Sequence, residues 1–167
     1  AVAAAHAIGV IHRDIKPANV YVCRMGLEYD FVKVLDFGLV KVNDRAHDAT
    51  RLTAEPAIMG TPAYMAPEAI LADPAADHRV DLYAVGCLAY FLLTGVRVFT
   101  ADTTMKLLMQ HVQDEPVPPS CRTELPIPGA VDDLVLACLR KDPTARPRGT
   151  MTAMRCAKLR ARRRTSS

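Results

Sequence analysis

Residues 80 to 95, VDLYAVGCLAYFLLTG, carry a single charged side chain, Asp81. A helix that is apolar on every side must be enclosed by other protein segments or by lipid. The run is shorter than the roughly 20 apolar residues that cross a bilayer, and Asp81 and Arg97 lie close to its ends. We therefore predict a helix buried at the centre of a globular domain.

The composition is compatible with such a core. The chain has 167 residues, of which 50% are hydrophobic, and this suits one domain of ordinary size. The net charge of +3 comes from the C-terminal tail, because residues 155 to 164 hold six cations and no anion. The rest of the chain therefore lacks the basic surface of a nucleic-acid-binding protein, and the tail is typical of a solvated helix end.

The cysteines and histidines predict neither disulfides nor a metal cage. The five cysteines include no CxxC pair, and the five histidines include no HxxxH pair. An odd number of isolated cysteines argues against a disulfide framework. We expect reduced thiols, as in the cytoplasm, and no zinc-type site.

Local patterns predict an α+β chain that is mostly helical. Two β-branched runs, VYVCR (20–24) and FVKVLD (31–36), predict a hairpin joined by MGLEYD. The opening AVAAAHAIGV has no basic segment typical of a signal peptide, and we interpret it as the last turns of a helix that begins upstream. Residues 38–68 predict a long surface loop, and five prolines between 114 and 129 predict an irregular connector. Further helices are predicted at 67–71, 80–93, 103–113, 131–140 and 150–162.

Five ordered motifs carry a family resemblance: HRDIKPAN (12–19), DFG (36–38), GTPAYMAPE (60–68), DLYAVGCLAYFLLTG (81–95) and KDPTARP (141–147). In order and spacing they resemble the C-terminal lobe of protein kinases, and in style the bacterial, eukaryotic-like Ser/Thr kinases. The resemblance implies a kinase-like fold with its short hairpin at the catalytic cleft. It also implies transfer of the γ-phosphate of MgATP to Ser or Thr hydroxyls of proteins.

The resemblance assigns roles to particular residues. Asp14 would orient and deprotonate the acceptor hydroxyl, and Lys16 would contact the γ-phosphate. Asn19 and Asp36 would bind Mg²⁺, for which amide and carboxylate oxygens are suitable ligands. The motif GTPAYMAPE (60–68) would form the loop that holds the protein substrate, called the substrate loop below. Lys16, together with Thr61 in this loop, favours Ser/Thr specificity.

A further nucleotide contact is implied on the first strand, where Tyr21 would lie under the adenine of ATP. Core packing explains Tyr21 equally well. Closure of the turn before the hairpin is likewise an alternative role for Asn19. Taken alone, the DFG aspartate is typical of a turn and Asp14 of a helix cap.

Other motif residues are implied to be structural or regulatory. Glu68 would pair with Arg146, and Asp81 would accept hydrogen bonds from the backbone around His12 and Arg13. Arg13 directly precedes Asp14, as in kinases whose activation loop is ordered by phosphorylation, because the added phosphate pairs with that arginine. Here the activation loop would be the long loop predicted at 38–68. Thr50 and Thr53 are the phosphoacceptors that we propose, with ordinary exposed threonines as the alternative.

Some parts of the kinase pattern are missing or altered. No two of the eight glycines are closer than nine positions, so the chain contains no GxGxxG loop over phosphates. We expect a truncated kinase domain at 1–157 without its N-terminal lobe, and a basic tail or linker start at 158–167. TGVRVF (94–99) stands where kinases commonly have a Pro–Phe pair after the glycine.

Two functions remain open at this stage. The first is a fragment of an active Ser/Thr kinase, whose partners are ATP and protein substrates and which has little activity alone. The alternative is a non-catalytic helical module that binds proteins. The expected location is the cytoplasm, either free or as the cytoplasmic part of a membrane-anchored kinase, and oligomeric state is not predicted.

Overall fold

A computed structural model describes residues 2–37 and 60–147. Within these ranges the chain forms five α-helices and one two-stranded antiparallel sheet. The elements are α1 (Val2–Ala7), β1 (Val20–Met25), β2 (Glu28–Val34), α2 (Pro67–Ile70), α3 (Arg79–Thr94), α4 (Thr104–Gln113) and α5 (Gly129–Cys138). The mostly helical composition agrees with the sequence prediction, and the predicted helix at 150–162 lies outside the described residues. No helix in the described ranges has the length and apolar character needed to cross a membrane.

Helix α3 is the central helix that the sequence predicts. Asp81 lies in its first turn, where a carboxylate interacts favourably with the helix dipole. Gly95 ends the helix in a left-handed conformation with φ 73°, and its N–H donates to the Phe91 carbonyl at 2.8 Å. Eight residues of this one helix are buried, so its apolar character reflects contacts on several sides.

The main core forms where α3 packs against α5 and the segment after α3. It contains Ala66, Tyr83, Cys87, Tyr90, Val98, Phe99, Val135 and Leu139. Gly86 allows the closest approach between the two helices, because a Cβ built on it would lie 2.8 Å from the Cys138 Cβ. A smaller cluster of Ile15, Ala84 and Leu88 connects α3 to the segment that follows α1.

The hairpin differs from the prediction at its turn. MGLEYD was predicted as the connection, but β2 begins at Glu28 and pairs with Met25, so only Gly26 and Leu27 form the turn. Gly26 has φ 63°, which a two-residue hairpin turn needs and which glycine adopts without steric cost. Of the six residues predicted as the connection, Met25 therefore belongs to β1 and residues 28–30 belong to β2, with a bulge at Asp30 (φ 57°).

The remaining predictions for the helices are close to the observed bounds. Helix α1 confirms a helix at the start of the chain, and α4 begins one residue later than predicted. Helix α5 begins two residues earlier, at Gly129. The proline-rich connector contains only a short 3₁₀ turn at Pro119–Cys121, held by hydrogen bonds from Ser120 to Asp132.

A polar group is buried beside the core at the end of α4. The Tyr83 hydroxyl and His111 Nδ1 lie 2.9 Å apart, and the Phe99 ring meets the imidazole edge-on. Lys141 donates to the His111 carbonyl at 2.8 Å, which caps the helix with a cation. Burial, assisted by the Lys141 charge, lowers the pKa of His111 to about 4.

Gly86→Ala should destabilise the protein, although glycine to alanine normally stabilises a helix interior. The new methyl group would overlap the Cys138 Cβ at 2.8 Å, and overpacking of this kind costs about 1–3 kcal/mol. Urea unfolding measures the change in the free energy of unfolding. Leu92→Ala is the control, since that side chain is 71% exposed and should change little. A more stable Gly86→Ala protein would contradict the packing described here.

The lowered pKa of His111 predicts that acid destabilises the fold. Between pH 6.5 and about 4 the unfolded chain binds a proton that the folded chain does not. The free energy of unfolding should therefore decrease as the pH is lowered across this window, by up to about 3 kcal/mol from this group. His111→Gln should remove that part of the pH dependence in urea titrations. His78→Gln, a change at a partly exposed ring, should leave the dependence intact. Identical slopes in all three proteins would refute the assignment.

Candidate active site

The Asp81 carboxylate anchors the segment that contains His12, Arg13 and Asp14. Its Oδ1 accepts the Arg13 N–H at 2.8 Å, and its Oδ2 accepts the His12 N–H at 2.8 Å. The Oδ2 atom also accepts a hydrogen bond from His6 Nε2 at 2.8 Å. Asp81 is only 1% exposed, so these three donors replace the water that its charge loses on burial.

His12 connects this segment to the one that follows β2. The Asp14 N–H donates to His12 Nδ1 at 3.2 Å, so the imidazole carries its proton on Nε2. That Nε2–H donates to the Leu35 carbonyl at 2.8 Å, and the Leu35 N–H donates to the Asn19 carbonyl at 2.9 Å. Asp36 therefore directly follows a residue that is bonded on both sides to the HRDIKPAN segment.

Two residues of this region have a left-handed backbone without being glycine. Arg13 has φ 66° and Asp36 has φ 56°. Such conformations cost of order 1–3 kcal/mol and persist where the surroundings hold them. The Arg13 N–H bond to Asp81 and the two bonds of Leu35 supply that constraint.

Asp14, Lys16 and Thr61 form a closed set of polar contacts. Lys16 Nζ lies 2.9 Å from Asp14 Oδ2 and donates to Thr61 Oγ1 at 3.2 Å. The Thr61 hydroxyl donates to Asp14 Oδ1 at 3.3 Å. Lys16 and Thr61, the second of them 47 positions from Asp14, therefore both contact the Asp14 carboxylate.

Asn19 closes the turn before the hairpin. Its side-chain Nδ2 donates to the Asp14 carbonyl at 2.8 Å and lies 3.4 Å from Asp14 Oδ2. The structural role considered for this residue is thus present. Because the amide nitrogen makes both contacts, the amide oxygen is the atom that could serve as a metal ligand.

A buried ion pair supports the segment that follows Thr61. Arg146 donates to both carboxylate oxygens of Glu68, at 2.6 and 2.8 Å. Its remaining donors reach three backbone carbonyls, and its guanidinium lies 5.0 Å from the centre of the Tyr83 ring. All five N–H groups of the arginine are therefore satisfied, as a buried charge requires.

This arrangement can polarise a hydroxyl group. A carboxylate with a lysine beside it can accept a proton from an alcohol while the cation stabilises negative charge on a neighbouring group. In the described residues no cluster of three His, Cys, Asp or Glu side chains could hold a metal by itself. A divalent cation at Asn19 and Asp36 would need further oxygen ligands from its substrate, as Mg²⁺ usually has.

Comparison with known proteins identifies the family. A model of the protein kinase domain matches residues 1–158, nearly the whole chain. The chain belongs to the protein kinase family.

Relatives include serine/threonine-protein kinase pkn3 of Myxococcus xanthus, 44% identical over 144 residues, which are 86% of this chain and 26% of that protein. Serine/threonine-protein kinase PknB of Mycobacterium tuberculosis is 38% identical over 141 residues, 84% of this chain and 21% of PknB. The chain thus spans about a quarter or less of the length of these kinases.

The kinase motifs meet in space only in part. Asp14, Lys16, Asn19 and Thr61 are in direct contact, whereas Asp36 is exposed and connected to them through its neighbour Leu35. Tyr21 lies on β1 opposite Lys33, and its side chain is 53% exposed. The proposed phosphoacceptors Thr50 and Thr53 lie outside the described residues.

Sequence reasoning missed His6 as a member of this candidate site. Its side chain forms a hydrogen bond with Asp81 across 75 positions, and its ring lies 5.0 Å from that of His78, tilted by 59°. Neither contact leaves a local pattern in the amino-acid sequence, because the two segments are distant in the sequence. The predicted contacts of Asp81 with the backbone of His12 and Arg13, and of Glu68 with Arg146, are confirmed.

Glu68→Gln should destabilise this kinase domain strongly. It leaves the Arg146 guanidinium buried beside a neutral partner, and removing one member of a buried pair costs about 3–5 kcal/mol. The free energy of unfolding, measured with urea, tests this. Asp102→Asn breaks the exposed pair with Lys106, for which less than about 1 kcal/mol is expected. Equal losses in the two variants would be evidence against a structural role for the buried pair.

Proposed function

We propose that this chain carries the acceptor-activating and metal-binding part of an ATP-dependent Ser/Thr protein kinase. The observation that carries the proposal is the contact set of Asp14, Lys16 and Thr61, because it unites the catalytic motif with the substrate loop. Phosphoryl transfer requires positioning and charge stabilisation rather than a covalent intermediate on the protein. This contact set is suited to both.

Each member of the set has a proposed role. Asp14 accepts the proton of the acceptor Ser or Thr hydroxyl as that oxygen attacks the γ-phosphorus. Thr61 holds the carboxylate from the substrate side. Lys16 moves its charge toward the transferring phosphoryl group, for which its flexible stem is suited.

Mg²⁺ and ATP are the proposed cofactors. Asn19 and Asp36 would hold the metal, and their oxygen atoms fit a hard cation that takes its other ligands from phosphate and water. When bound, Mg²⁺ neutralises charge on the β- and γ-phosphates. Tyr21 would contact the adenine through its exposed ring on β1.

We further propose that the chain is the C-terminal lobe of its kinase domain, spanning 1–157, with the tail or linker beginning at 158. The hairpin supports this, because apolar side chains on it are open to water. Those that are at least half exposed are Tyr21, Val22, Met25, Leu27, Tyr29 and Val32. Exposed apolar surface of this extent is typical of an interface. A second lobe, carrying the glycine-rich loop that this chain lacks, would cover it.

The cytoplasm is the proposed location, because ATP is the phosphate donor and the four cysteines in the described ranges are free thiols. The proposed protein partners are substrates that present Ser or Thr. Nucleic acid is not among them, since the net positive charge comes from the tail and the rest of the chain holds more acidic than basic residues.

Asp14→Asn and Asp36→Asn should each lower kcat/KM for a Ser-containing peptide at least about a hundredfold. The first removes the proton acceptor, and the second removes a charged metal ligand. The measurement is phosphate transfer from labelled ATP by the kinase domain with both lobes, because the 167 residues alone are expected to have little activity.

Asp30→Asn is the matched control. It replaces an exposed aspartate whose φ of 57° is nearly that of Asp36, so the backbone effect is the same. Its activity should remain that of the unaltered protein. Full activity of Asp14→Asn would refute the proposed role of Asp14, whereas no transfer by the unaltered protein would favour the non-catalytic module.

A further inference from the structure

His6 is a largely enclosed histidine that takes no part in the proposed transfer step. It lies in α1, and its side chain is 9% exposed. Its Nε2 lies 2.8 Å from Oδ2 of Asp81, which belongs to α3 and comes 75 positions later. The His78 ring lies 5.0 Å from the His6 ring. The imidazole therefore connects α1 to the start of α3.

The direction of the hydrogen bond between His6 and Asp81 follows from the acceptor. Asp81 is 1% exposed, and its two oxygens already accept the backbone N–H groups of His12 and Arg13. An ionised carboxylate only accepts hydrogen bonds. His6 Nε2 therefore carries a proton and donates it to Oδ2.

The Oδ2 atom of Asp81 is where the His6 contact meets the backbone that precedes Asp14. It accepts from His6 Nε2 and from the His12 N–H, both at 2.8 Å, whereas Oδ1 accepts the Arg13 N–H. Without His6, only the two backbone N–H groups would orient the carboxylate, and these are the groups that the carboxylate has to hold. The third donor therefore fixes the carboxylate independently of residues 12 and 13.

The backbone held by Asp81 is strained. Arg13 has φ 66°, a left-handed conformation that a residue other than glycine keeps only where its surroundings hold it. Asp14 follows directly, and its N–H donates to His12 Nδ1 at 3.2 Å. A change in the Asp81 carboxylate should therefore move the residue proposed as the base. Misplacement of a catalytic group by about 1 Å can lower a rate about a hundredfold.

We propose that His6 is a positioning residue for phosphoryl transfer. It acts by orienting the Asp81 carboxylate, which in turn holds the backbone before Asp14. The proposal rests on the kinase function proposed above. Because His6 acts on the placement of the base through Asp81, its loss should lower kcat and leave KM for ATP and for the peptide nearly unchanged.

The test compares His6→Leu with His6→Gln in the kinase domain with both lobes. Leucine removes the donor, so kcat for a Ser-containing peptide should fall about ten- to hundredfold. Glutamine supplies an amide N–H as the donor, so it should retain most of the unaltered kcat. Amide hydrogen exchange, followed by NMR, should become faster at His12 and Arg13 in His6→Leu and stay slow in His6→Gln.

His78→Gln is the matched control. It removes the neighbouring imidazole and leaves the hydrogen bond between His6 and Asp81, so kcat should not change. Thermal melting shows whether each variant is folded at the assay temperature. If His6→Leu does not fold, His6→Asn takes its place, because its amide is one carbon shorter than that of glutamine and should lose kcat in the same way.

The possible failures are distinguishable. An unaltered kcat in a folded His6→Leu protein, or an equal loss of kcat in His6→Gln or His78→Gln, overturns the role of the His6 hydrogen bond and leaves the kinase proposal intact. A loss that appears in KM alone also overturns it. If the unaltered domain transfers no phosphate, the kinase proposal fails and this inference fails with it, whatever the amide exchange shows.

Discussion

The buried carboxylate of Asp81 is the constraint on which the site depends. A charge that is 1% exposed must be satisfied by donors from the protein, and here these are two backbone N–H groups and the His6 ring. These hydrogen bonds to Asp81 fix the His12–Arg13 segment and keep Arg13 in its left-handed conformation. His12 is then directed at Leu35, and Asp36 follows. The position of the candidate metal ligand is thus a consequence of a helix that begins more than forty residues later.

The first turns of α3 organise the substrate side as well. Arg146 donates to the Arg79 carbonyl at the start of the helix, lies over the Tyr83 ring and pairs with Glu68. Glu68 belongs to the same motif as Thr61, which contacts Asp14. One end of one buried helix therefore supports both the residue proposed as base and the loop proposed to present the hydroxyl. This explains why a helix so apolar carries its only carboxylate at that end.

The two parts of the described chain differ in how far they are enclosed. Around α3 the aromatic rings of Tyr83 and Tyr90 are fully buried, whereas the hairpin exposes apolar side chains such as Val22 and Val32, which pair across its strands. A two-stranded hairpin is marginally stable in water by itself. In this chain it is held at its base, where the Leu35 N–H bonds to Asn19. An open apolar face beside a satisfied polar site is the arrangement expected where a second lobe and a nucleotide complete a cleft.

The sequence by itself determined the types of element and which residues are candidates for a chemical role. The bounds predicted for α3, 80–93, differ by one residue at each end, because apolar composition and a terminal glycine are local signals. It misplaced the start of β2, since the turn depends on the conformation of Gly26 rather than on polarity. Only the tertiary structure decided which distant groups meet: His6 with Asp81, and Gly86 with Cys138. Such pairs leave no periodic signal in the sequence, because they arise from the packing of separate elements around a shared core.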